Sequence, residues 1–110
     1  MTQKTRALLN KLHNLKVSQL QHCNQYLITN DDFNVFQSYD SIIAIYNKKE
    51  KILILGRDWD YSSTTLKHLY LFLDGYAYVS DLYLYGSKNK KKTIKQFIKD
   101  NKIIYDASLF

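Results

Sequence analysis

The sequence predicts an α+β fold: a small antiparallel sheet with a central hairpin at about 41–55, packed with helices at about 4–15, 63–73 and 90–100. Three observations carry this reading. Ser41–Asn47 and Lys51–Leu55 are apolar, mostly β-branched or leucine-rich runs joined by Lys48-Lys49-Glu50, the pattern of a hairpin. Leu8, Leu9, Leu12 and Leu15 recur at helical spacing near the start, and Ile94, Phe97 and Ile98 do so near the end. The 110 residues contain no repeat, linker or composition break, so 1–110 reads as a single domain.

The elements follow in order. The first helix carries Lys4, Arg6, Lys11 and Lys16 on its polar face, and whether it extends through Val17–Cys23 is left open by Ser18 and Asn24. Tyr26–Thr29 is a short strand candidate stopped by Asn30-Asp31-Asp32, and Phe33–Tyr39 alternates as a strand. Both faces of the 41–55 hairpin are apolar, which calls for cover on both sides. Trp59 at the strand exit suits a plug at one edge of the core, and Ser62-Ser63-Thr64-Thr65 is suited to capping a helix start. Leu66, Leu69, Tyr70 and Leu73 mark the stripe of that helix, with Gly75 as its expected left-handed end. Tyr76, Tyr78, Ser80, Leu82 and Leu84 alternate and read as a strand, with a helix as the alternative. Ile103–Tyr105 reads as a closing strand or tail.

Composition excludes more than it assigns. One cysteine, Cys23, cannot form an internal disulfide, and three scattered histidines have no zinc-site spacing. The three glycines are isolated, so no phosphate-cradling loop is present. No apolar run reaches the roughly 18–20 residues needed to cross a bilayer, and no signal-peptide core is seen, so a cytoplasmic protein without a membrane partner is expected. Asp58 and Asp60 flank Trp59 as a possible metal pair, and a serine with His68 and Asp60 is a possible triad. Neither has its supporting signature, so the expectation is no enzyme and no cofactor.

The formal net charge of +6 is unevenly placed. Residues 1–16 carry +4, residues 17–87 carry −3 and residues 88–102 carry +6. A face of Lys90, Lys91, Lys92, Lys95 and Lys99 suits a polyanion, or equally a solvated helix. Lysine (14) far outnumbers arginine (2), which favours charge- or shape-driven contact over base readout. Most of the ten tyrosines are expected to serve the core, with stacking on bases the lesser use. Arg57, Lys67 and His68 lie around the Ser/Thr cluster, where they read either as part of a capped helix start or as an anion contact.

Two segments carry a family likeness: Gln37-Ser38-Tyr39-Asp40-Ser41-Ile42-Ile43-Ala44, and Trp59-Asp60-Tyr61-Ser62-Ser63-Thr64-Thr65-Leu66-Lys67-His68 continuing to Leu73. Together they resemble a small domain common in phages and mobile elements of low-GC Gram-positive bacteria. Ser38, Tyr39, Ser41, Ile43, Ala44, Trp59, Ser62, Thr64, Thr65, Lys67, His68 and Phe72 fit the pattern, within 37–73, about a third of the chain. The resemblance implies a protein that inhibits host defence by binding, most concretely an anti-CRISPR inhibitor of a CRISPR–Cas effector nuclease. Its partner would be that effector or host nuclease, with guide RNA or DNA as a further contact. The alternative is a small basic nucleic-acid-binding accessory or regulatory protein. In either case the expected contact residues are Arg57, Lys67, His68, Lys90, Lys91, Lys92, Lys95 and Lys99.

Overall fold

The structure, a computed structural model, describes residues 15–21 and 23–109. The expected helix over 4–15 lies outside the described residues except for Leu15. Among the described residues the elements run β1 (Lys16–Gln19), β2 (Gln25–Thr29), β3 (Phe33–Ser38), β4 (Ser41–Asn47), β5 (Ile52–Gly56), α1 (Ser63–Gly75), α2 (Lys90–Lys99) and β6 (Ile104–Asp106). The class is α+β, and the described strands form one sheet in the order β1-β2-β3-β4-β5-β6.

The first five strands form an antiparallel meander, and polar side chains brace two of its turns. Asn30 Oδ1 accepts the Asp32 and Phe33 amides between β2 and β3, and Asn47 Oδ1 accepts the Lys49 and Glu50 amides after β4. The fully antiparallel sheet expected from the sequence needs correction: β6 pairs with β5 in parallel, so the sheet is mixed. The chain reaches that position only by crossing through α1 and α2, since parallel neighbours cannot be joined by a hairpin. Gly56, at the end of β5, has a close-approach reason to be glycine. A Cβ there would sit 2.5 Å from the Ile42 carbonyl oxygen and 2.9 Å from that of Leu109.

A bulge separates Phe36↔Ala44 from Gln37↔Ile42, leaving Ile43 without a cross-strand partner. Its effect is a change of phase. Ile42 and Ala44 are two residues apart, yet Ile42 packs with Ile28 and Val35 on one face while Ala44 joins the main core on the other. That core gathers Leu27, Phe36, Tyr46, Leu53 and Leu55 from the sheet with Trp59, Leu69, Phe72, Ile94 and Ile103. Phe36 and Phe72 stack with ring centroids 6.0 Å apart, which ties β3 to α1. Trp59 is buried at the strand exit, the position its sequence context suggested.

The segment 76–85 does not form the expected strand. Its alternation breaks at the Val79–Leu82 turn, where the Leu82 amide donates to the Val79 carbonyl and Asp81 takes φ 66. Ala77 and Val79 face inward before this turn, and Leu82 and Leu84 after it. A period-two pattern whose phase flips in the middle packs as a folded strap on the core and cannot pair as a single strand.

Candidate functional site

Helix α1 starts where the sequence placed it. Ser62 is the N-cap, its Oγ accepting the Thr65 amide at 3.1 Å. Its end differs from expectation: Gly75 remains helical, and Tyr76 closes the helix at φ −132. The buried residues are Thr65, His68, Leu69, Phe72 and Leu73, with Leu66 and Tyr70 only half-buried.

This rotation separates the two neighbouring residues of the motif, Lys67 and His68. Lys67 is exposed, whereas His68 is 2% exposed and its Nδ1–H donates to the Thr64 carbonyl at 2.9 Å. His68 is therefore buried in the packed face of α1 rather than presented at the surface, and its Nδ1 is held by its own helix rather than by Asp60. Asp60 instead meets Lys91 at 3.6 Å. Asp58 accepts from Ser41 Oγ and from Arg57 Nε, both at 3.3 Å. Among the described residues no group of three or more histidine, cysteine or acidic side chains is placed to hold a metal ion.

The two halves of the sequence motif come together in space. The β3–β4 turn, with Ser38, Tyr39, Asp40 and Ser41, faces the loop and first turn of α1, with Asp58, Tyr61, Ser62, Thr64 and Thr65. Between them lies a cleft of about 540 Å³. Ser41 shares this side with Ile43, because the bulge places Ile43 and Ala44 on the core face and Ile42 on the other. Tyr39 is held at φ 52, a left-handed conformation disfavoured for a bulky side chain. Its amide donates to the Asn24 carbonyl and its own carbonyl accepts from Gln37 Nε2, both at 2.6 Å. The result is an exposed ring at the rim, with exposed Tyr61 also on the cleft. Tyr39, Asp40, Ser41 and Tyr61 were absent from the expected contact residues. The signal for them was available, since all four stand inside the two motif segments.

Two further recesses, sharing Tyr70, lie on the other side of α1. A shallow groove of about 410 Å³ holds Lys67 and Lys90 with Ser63 and Tyr70. A second, of about 330 Å³, holds Tyr78, Tyr83 and Tyr85 together with Asp74 and Asp81, so it suits base faces rather than phosphates, and Tyr70 lines both. The Lys90 ammonium stands 5.4 Å from the Tyr70 ring centroid. Burial pushes the Tyr70 phenol above its usual pKa, so it stays neutral at physiological pH. Lys92, Lys95 and Lys99 continue the charge along the exposed side of α2, while Arg57 is turned to Asp58. Seven of the ten tyrosines are exposed: Tyr39, Tyr61, Tyr76, Tyr78, Tyr83, Tyr85 and Tyr105. The expectation that most would serve the core is thus overturned. The strap folds its leucines inward and leaves its tyrosines outside.

These features define a small α+β protein with a lysine- and tyrosine-rich surface on one side of α1 and a hydroxyl-lined cleft on the other. The profile of a family of unknown function (DUF8033) matches residues 9–96, and the chain belongs to that family. The match takes in the meander, α1 and most of α2. No curated protein and no solved structure matches the chain. Among the described residues no helix is long and apolar enough to cross a membrane.

Proposed function

We propose that this protein is a non-enzymatic binding protein that grips single-stranded nucleic acid, bare or within a nucleoprotein, on the surface shared by α2, Lys67 and the tyrosine strap. The observation that carries the reading is Tyr70, which lines both the groove holding Lys67 and Lys90 and the groove holding Tyr78, Tyr83 and Tyr85. Phosphates need mobile cations, and unpaired bases need exposed aromatic faces. A surface of lysine without arginine suits contact that does not depend on base sequence.

The start of α2 adds support. Lys90, Lys91 and Lys92 occupy its first turn, no acidic residue stands there, and Asn89 makes no side-chain cap. Cations at this end oppose the helix dipole, so the folded helix carries a local cost that a bound polyanion relieves. Anisotropy of a labelled single-stranded RNA, titrated with the protein across a salt series, tests the reading. Affinity is expected to fall steeply with salt, and Gln at 90, 91, 92 and 95 to abolish binding. Unchanged affinity in that variant would sink the proposal.

The motif resemblance supplies the biological setting: inhibition of a CRISPR–Cas effector in the cytoplasm of a bacterial host. A positive surface cannot mimic DNA, so such an inhibitor would hold the guide RNA or the bound complex. Expression in a host with active interference is expected to let a matching plasmid persist. Full interference, with no effector component recovered on the tagged protein, removes this setting and leaves the nucleic-acid surface standing.

A further inference from the structure

The cleft formed by the two motif halves differs in chemistry from the lysine groove. Its volume, about 540 Å³, lies in the range of small-ligand sites, roughly 300–1,000 Å³. Hydroxyls of Ser38, Ser41, Ser62, Thr64 and Thr65 line it, and the only aliphatic side chain on its lining is Ile43. Two carboxylates, Asp40 and Asp58, make it a poor seat for phosphate. The Ser41, Ser62 and Thr65 hydroxyls already bond within the protein, and a wholly apolar ligand would desolvate the two carboxylates. The chemistry that fits is an uncharged, hydroxyl-bearing group with a flat face for Tyr39 and Tyr61, which stand at the cleft 61% and 80% exposed. Placement adds the rest. Ser62 lines this cleft and the adjacent Ser63 lines the groove of Lys67 and Lys90, so a single residue separates a recess that repels phosphate from one that attracts it.

We infer that the cleft seats the nucleoside of one nucleotide, its base against Tyr39 and Tyr61 and its sugar hydroxyls on the Asp40 carboxylate and Ser41, with the neighbouring phosphate passing over Ser63 toward Lys67 and Lys90. The inference rests on the nucleic-acid reading above and gives it a polarity: the strand has a fixed point at one end of the surface. Tyr39's left-handed backbone is consistent with this role, since strained residues persist where the surroundings hold them and cluster at ligand clamps.

The test uses the full chain, isotope-labelled for amide resonances, with uridine 5′-monophosphate as one probe and inorganic phosphate as the other. The nucleotide is expected to shift amides of 38–41 and 58–61, and phosphate alone to leave them in place. Tyr61→Ala, at a position too exposed to threaten folding, is expected to weaken single-stranded RNA binding about tenfold, the loss of one stacked base. Asp40→Asn should weaken the mononucleotide as well. Shifts of the same amides by phosphate alone overturn the inference, because an anion and not a nucleoside is then what the cleft accepts. Salt-sensitive RNA binding with Tyr61→Ala and Asp40→Asn at full affinity also overturns it while sparing the basic surface. Nucleotide-induced shifts in a chain that binds no oligonucleotide do the reverse: the nucleoside seat stands and the basic surface falls.

Discussion

Helices α1 and α2 begin in opposite ways. α1 opens on a serine whose hydroxyl accepts the Thr65 amide, and it buries five residues, from Thr65 to Leu73. α2 opens on three lysines with no side-chain cap and buries only Ile94. Propensity, capping and burial all agree in α1, the consistency expected of an element that holds a fold together. In α2 the charge pattern works against the helix. Packing of Ile94, with Phe97 and Ile98 half-buried on the core, holds α2 in place, and among the described residues its first-turn charge is met only by Asp60 at Lys91 and the Tyr70 ring at Lys90. The hydroxyl cleft sits at the secure end of α1, and the lysine surface follows the insecure start of α2.

The contrast can be broken or sharpened by substitution. The largest effect is expected at Phe72, fully buried and stacked on Phe36. Phe72→Ala should cost about 3–5 kcal/mol in urea unfolding. A loss below about 1 kcal/mol would mean that α1 is not the anchor described. Removing the cap with Ser62→Ala should cost about 1 kcal/mol and lower the urea midpoint without changing its slope. At the other helix the sign reverses. Lys92→Glu places an acid in the first turn of α2 and should raise stability by about 0.5–1 kcal/mol while weakening RNA binding. A variant that loses both stability and binding would dissolve the distinction between the two helices.

The smallest effect lies where the helices touch, at Tyr70 beneath the Lys90 ammonium. Burial raises the phenol's pKa on folding, so its contribution is complete below its unfolded value of about 10 and fades as pH climbs through the folded value. Tyr70→Phe should therefore flatten the loss of stability above pH 10, read as denaturant midpoints at pH 8 and pH 10.5. An unchanged alkaline slope would place that loss on other groups.

Much of the frame was legible from residue types. The β4–β5 pair, the Ser62 cap and the Trp59 plug follow from β-branched runs, a hydroxyl cluster and an isolated indole. Local pattern could not show which way the chain returns after α2, because parallel or antiparallel pairing of Ile104–Asp106 depends on the length and direction of a whole crossover. The tyrosine strap misled for a different reason. Its alternation is real on both sides of Asp81, and only a backbone turn reverses its phase. The fate of His68 was readable but overlooked. Thr65, His68, Leu69 and Phe72 fall at i, i+3, i+4 and i+7, and one step along a helix turns Lys67 away from that stripe.

The bulge at Ile43 has a consequence for how the motif tolerates change. Most substitutions in the Ser38–Ala44 segment alter one side chain and leave the others aimed as before. Deleting Ile43 would remove only an unpaired residue and let the β3–β4 ladder close without a break. Because Ile42 and Ala44 already face opposite sides, Ser41 would keep its aim at the cleft, and the loss would be the buried Ile43 side chain, the one aliphatic member of the cleft lining. At this position the motif tolerates a shortened spacing, and the cost of the deletion is the lost packing of Ile43 rather than a reversal of faces.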